Sequence, residues 1–142
     1  MEELKTFLFQ GRYAELEQIC KNMNAARIED MILEIAYETD SISVYSFVRY
    51  MIEKTGSSDW RKLAFQVMAF PLCFVEGAYS VALFHARELL SMERTVENLD
   101  RMLFFYDIPE RLLDQKEAKA IVNEILTIEP KNELALRFSL YL

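Results

Sequence analysis

Apolar side chains recur at three- and four-residue spacing along almost the whole chain, and no run of six residues alternates in the two-residue rhythm of a half-buried strand. Gly and Pro number three each among 142 residues. Sandwiches and barrels need turn residues every few positions, so an all-β chain is excluded and an all-α fold is predicted. Apolar and aromatic residues make up 52% of the chain, enough to bury a core and to exclude intrinsic disorder. The length fits one domain over residues 1–142.

The periodicity and its breaks predict eight or nine helices of about 10 to 16 residues. The first runs from Glu2 to Gln10 and ends at Gly11, free to take a left-handed backbone. The next two are Arg12–Met23, with Tyr13, Leu16, Ile19 and Cys20 inward, and Ala25–Glu38, with Ile28, Met31, Ile32 and Ile35 inward. Asp40 or Ser41 is expected to cap Ile42–Lys54, and Ser58 or Asp59 to cap Trp60–Phe70. Pro71 lacks an amide proton and disfavours helix at Phe70, so a kink or a stop is expected there. Then follow a helix from Glu76 or Gly77 to Met92, Thr95–Tyr106, a helix ending near Ile128 whose start at Asp114-Gln115-Lys116-Glu117 matches a capping box, and Glu133–Tyr141. From Leu63 to Ala86 the only charge is Glu76, but Pro71 and Gly77 interrupt the stretch. Two half-length helices buried against each other account for it better than a membrane span.

Short connections make successive helices antiparallel neighbours, so the chain is expected to form either a closed bundle or a right-handed stack of helical hairpins. Both ends favour the stack. Gly11-Arg12-Tyr13-Ala14-Glu15-Leu16 resembles the Gly-x-Tyr-x-x-Ala/Leu segment of a tetratricopeptide repeat. The tract from Ala118 through Ile125-Leu126-Thr127-Ile128-Glu129-Pro130 to Leu136 resembles the second helix of such a repeat and the turn into the next. The middle of the chain does not repeat these features, and no 34-residue period runs through it.

Lys and Arg total 16 against 23 Asp and Glu, a net charge of −7. Such a surface repels phosphate backbones, which argues against direct nucleic-acid binding and for a basic protein partner. The densest acidic stretch holds Glu29, Asp30, Glu34, Glu38 and Asp40 with no base between them. At about 100° per residue, Asp30, Glu34 and Glu38 form one ridge opposite the apolar stripe, with Leu33 and Tyr37 bordering it. Like charges at this spacing cost a few tenths of a kcal/mol each, so helix stability does not call for the pattern. Two readings stand: a solvated face, with Arg27 offsetting part of the charge, or a partner-binding ridge of Glu29, Asp30, Leu33, Glu34, Tyr37, Glu38 and Asp40.

Catalytic signals are missing. The single histidine, His85, lies in line with Val81 and Leu89 on an apolar ridge, and no spacing is expected to supply an orienting acid. Phosphate loops, nucleophile elbows and zinc spacings are absent. Cys20 and Cys73 are read as inert core thiols, and the aromatic sets Tyr45, Phe47, Tyr50 and Phe104, Phe105, Tyr106 as core. No cofactor or metal is expected. The start Met-Glu-Glu-Leu-Lys lacks the form of a signal peptide, so a soluble, cytoplasmic protein is expected.

Gly11-Arg12-Tyr13, the tract Pro71-Leu72-Cys73-Phe74-Val75-Glu76-Gly77-Ala78-Tyr79, and Phe104-Phe105-Tyr106-Asp107-Ile108-Pro109-Glu110 together carry a wider resemblance. With the repeat-like tail, the chain resembles the small acidic, all-helical bacterial immunity proteins encoded beside secreted polymorphic toxins, including those directed at wall-associated, contact-dependent tRNA-nuclease toxins. The resemblance implies binding to the toxin's C-terminal nuclease domain in the cytoplasm, as a monomer or weak dimer. A tetratricopeptide-like adaptor holding a peptide is the alternative, and a small helical enzyme or carrier a weaker third.

Overall fold

Most helices here begin where a side-chain oxygen takes an orphan backbone N–H, and several stop where glycine, proline or a left-handed residue breaks the ladder. A computed structural model describes residues 2–142. Among them are nine helices and no strand: α1 (Glu2–Phe9), α2 (Tyr13–Cys20), α3 (Ala25–Thr39), α4 (Ile42–Thr55), α5 (Ser58–Ala69), α6 (Ala78–Met92), α7 (Val96–Asp107), α8 (Gln115–Ile128) and α9 (Glu133–Ser139). The all-α expectation holds.

Several boundaries differ from those predicted, each for a local reason. α1, α2 and α9 have only eight, eight and seven residues, and α2 stops at Cys20 rather than Met23. Asn24 then caps α3, its side chain accepting the Arg27 N–H at 2.8 Å. Ser57, not Ser58 or Asp59, caps α5 by accepting the Trp60 N–H at 3.2 Å. Ser41 caps α4, while Asp40 closes α3 with a left-handed backbone (φ 55°). Gly11 takes the left-handed conformation predicted for it (φ 68°).

The chain divides into two compact units, one ending at Ala82 and one beginning at Leu83, with the division inside α6. In the first unit α1 packs on α2, and α5 packs on both α3 and α4. The apolar stripe of α5 is thus turned to those two helices. Lys5 Nζ reaches Glu38 at 2.5 Å, and the Tyr50 hydroxyl donates to Glu17 at 2.8 Å; each pair is 33 residues apart. An equal displacement in neighbouring helices is what a hairpin stacked in parallel on the next produces. The core centres on Phe47, fully buried, with the rings of Tyr13, Trp60 and Tyr50 at 5.5, 5.7 and 6.2 Å.

In the second unit α8 packs on both α7 and α9. Arg87 grips Glu117 through two hydrogen bonds of 2.7 and 3.0 Å, and Arg94 grips Glu124 through two of 2.8 and 2.7 Å. Both pairs are 30 residues apart and advance together by two turns, so α6 beyond Leu83 and α8 run parallel, with α7 returning between them. Buried Asn98 closes the α6–α7 turn, its Nδ2 donating to the Leu89 and Glu93 carbonyls at 3.2 and 2.8 Å. Phe105 and Tyr106 are buried as expected, while Phe104 is half-buried.

Candidate functional site

The acidic stretch lies on α3, in the first unit, on a helix whose inner side is fixed by buried Met31, Ile32, Ile35 and Ala36. Ile28, predicted inward with them, is only half-buried because it faces a groove. Glu29, Asp30, Glu34, Tyr37, Glu38 and Asp40 are exposed, with Tyr37 at 61%, and Leu33 is half-buried. The seven predicted residues therefore share one helix and its end, yet they do not form one uniform surface.

Glu38 is already occupied. Lys5 Nζ lies 2.5 Å from its carboxylate and 3.2 Å from Glu2, with only 14% of the lysine side chain exposed. The hydrogen bond to Glu38, aided by Glu2, pushes the Lys5 pKa up. The ridge is thus neutralised at its C-terminal end, which takes Glu38 out of the free acidic face. Asp40 sits past the last turn in its left-handed position, where its backbone N–H bonds the Ala36 carbonyl at 2.9 Å. Among the described residues, Glu29, Asp30 and Glu34 carry no ion pair.

Those three carboxylates stand over two grooves on either side of the N-terminal half of α3. Glu29 borders a groove of about 480 Å³ between α3 and α5, where Ile28, Trp60 and Leu63 supply apolar surface and Lys62 a cation. Asp30 and Glu34 border a second groove, of about 540 Å³, between α3 and the α1–α2 hairpin. Leu4, Ile19, Met23 and Met31 line its apolar part, and Asn22 and Arg27 stand beside the acids. One residue is about 100° of helix, which is why Glu29 and Asp30 face different grooves while Asp30 and Glu34 share one. The groove walls were not legible as a site. Ile19 and Ile28 read as core because they continue apolar stripes, yet each is half-buried, Ile19 beside the early end of α2 and Ile28 in the groove between α3 and α5.

The remaining candidate side chains lie away from α3. His85 is fully buried, and its Nδ1 lies 2.7 Å from Glu88 Oε1, one turn onward. A carboxylate thus does orient this imidazole, contrary to the expectation from spacing. Cys20 is buried, and desolvation, with the Glu17 charge behind it, raises its pKa to about 11. Cys73 is exposed rather than in the core: α5 ends at Ala69, so Cys73 falls in the turn after Pro71 and on no helical stripe. On α7, burial pushes the Asp100 pKa up, opposed by a hydrogen bond from Asn132. No group of three or more His, Cys, Asp or Glu among the described residues is placed to hold a metal ion. No helix among them is long and apolar enough to cross a membrane.

Comparison of the chain with protein-family models, with curated proteins and with solved structures finds no match. The α3 face is therefore argued from its own geometry.

Proposed function

We propose that this protein works by contact and not by turnover: in the cytoplasm it binds a basic, nuclease-type toxin domain and neutralises it by covering part of that domain's cationic surface with the face of α3. The observation that carries this reading is the set of free carboxylates at Glu29, Asp30 and Glu34, each beside an apolar groove. A carboxylate in open water contributes little to affinity, but beside apolar surface that a partner covers it faces a lower dielectric and selects for a cation. Carboxylates occupying positions that RNA phosphates would otherwise take offer steering and competition without any chemistry. The resemblance to acidic helical immunity proteins points the same way.

Reversing charge with Asp30→Lys plus Glu34→Lys should slow association with such a domain about tenfold or more at low salt, and much less at high salt. The check is a stopped-flow or surface-capture measurement across ionic strength. Unchanged inhibition together with an unchanged salt response would remove α3 from the mechanism.

The 33-residue displacement between stacked hairpins favours a second reading, a repeat-type adaptor that holds a peptide tail. That reading requires affinity for unfolded tails rather than for a folded basic domain, and a competition between the two ligand types separates them.

A further inference from the structure

The two grooves beside α3 are not equivalent. The α3–α5 groove mixes charges of both signs, Glu29, Asp59 and Lys62, and the bulky Trp60 is part of its lining. The groove between α3 and the α1–α2 hairpin is the larger, about 540 Å³, and two of its four apolar wall residues, Met23 and Met31, are flexible methionines beside Leu4 and Ile19. Leu4, Ile19 and Met23 are each half-buried, so the walls present apolar surface that packing within the chain leaves uncovered. Methionine walls adapt to an incoming side chain better than branched ones do.

The charges around this groove set what can enter it. Asp30 and Glu34, one turn apart, share its α3 edge with Arg27, which lies one turn nearer the helix start. Arg27 offsets one of the two acids, and Glu34, farther from it, is left as the anionic end. Asn22 is the neutral polar residue facing them from the end of α2.

We propose, resting on the reading above, that the groove between α3 and the α1–α2 hairpin receives a single bulky apolar side chain of the basic partner, from a segment that places Lys or Arg beside it. The apolar side chain covers Ile19, Met23 and Met31, and the adjoining cation meets Asp30 and Glu34. This divides the labour at the interface. The carboxylates set the rate and the charge class of partner, and the groove sets which segment of that partner docks and how long it stays. A purely acidic partner segment is excluded by Glu34, and a purely polar one gains nothing from the walls.

The test uses the full chain with its methionine methyl groups labelled with carbon-13, and three short synthetic peptides: Leu flanked by lysines, the same peptide with Ser for Leu, and Leu flanked by glutamates. The Met23 and Met31 methyl signals should shift with the first peptide, while those of buried Met68 and Met102 stay in place. The serine peptide should need about tenfold more for the same shift, and the glutamate peptide should cause none. Asn22→Trp fills the mouth of the groove without altering charge, at an exposed position, and should abolish the shift. The proposal is overturned if the lysine–leucine peptide leaves Met23 and Met31 unmoved, if the serine peptide binds as well, or if Asn22→Trp binds normally. Shifts of the same two methyls on raising protein concentration alone would assign the groove to a second copy, and would also overturn it. Against a folded toxin domain, a loss of binding on reversing Asp30 and Glu34 but not on Asn22→Trp rejects the groove and keeps the α3 reading. No loss on either substitution rejects both.

Discussion

Single side chains in this molecule owe their character to where a helix stops. Cys20 and Cys73 look alike in sequence, each among apolar neighbours, but one ends α2 under the core and the other lies in the turn after Pro71. Burial holds the Cys20 thiol protonated, with a pKa of about 11. A thiol reagent added to the native protein at neutral pH should therefore modify Cys73 quickly and Cys20 only on unfolding, giving one fast equivalent and then a second in denaturant. Two fast equivalents would mean that the end of α2 opens readily. His85 carries the same lesson. Glu88 is visible in the sequence one turn away, but only the rotamers that packing selects bring it to 2.7 Å from the buried imidazole.

Helix starts were largely legible, because a capping residue announces itself by type. Thr95, Asp114 and Asn132 accept the N–H three residues on at 3.1, 2.8 and 2.9 Å. The start of α8 departs from the pattern in one respect. Asp114 makes its half of the capping box, but the Glu117 carboxylate goes to Arg87 on α6 instead of back to the Asp114 N–H. Two functions that a capping box would merge are thus separate here. Asp114→Ala should cost about 1 kcal/mol through lost capping and depend little on salt, whereas Glu117→Gln should cost less and lose its effect as salt rises. Chemical denaturation at two ionic strengths distinguishes them, and equal salt dependence would contradict the division. Helix ends were less legible: α2 and α9 stop two to three residues early where the next residues, Lys21 and Asn22 or Leu140 and Tyr141, are exposed and gain no burial, and α5 stops one residue early ahead of Pro71.

For the molecule as a whole, the stacking of hairpins within each unit is written in side-chain pairs rather than in a sequence repeat. Arg87–Glu117 and Arg94–Glu124 tie α6 to α8, and the hydrogen bonds from Arg94 hold the Glu124 carboxyl below its usual range. Because that folded pKa is depressed, the stabilisation is present above the unfolded carboxylate pKa and is lost as pH falls through the folded one. Glu124→Gln should therefore lower the Tm at neutral pH, with the difference from the parent shrinking as the pH drops below about 4. A deficit that stays constant down to strongly acidic pH would show that the side chain acts through packing and not through charge. By itself the sequence determined the helical class, most helix starts, the stripe that holds α3 inward and the acids it turns outward. Those follow from periodicity and residue type, which are local. Only the tertiary structure decided that Lys5 neutralises Glu38, that Glu29 and Asp30 face separate grooves, and that neighbouring hairpins repeat at a 33-residue displacement. Each of these joins residues distant in the chain, and a one-dimensional pattern holds no record of which faces meet.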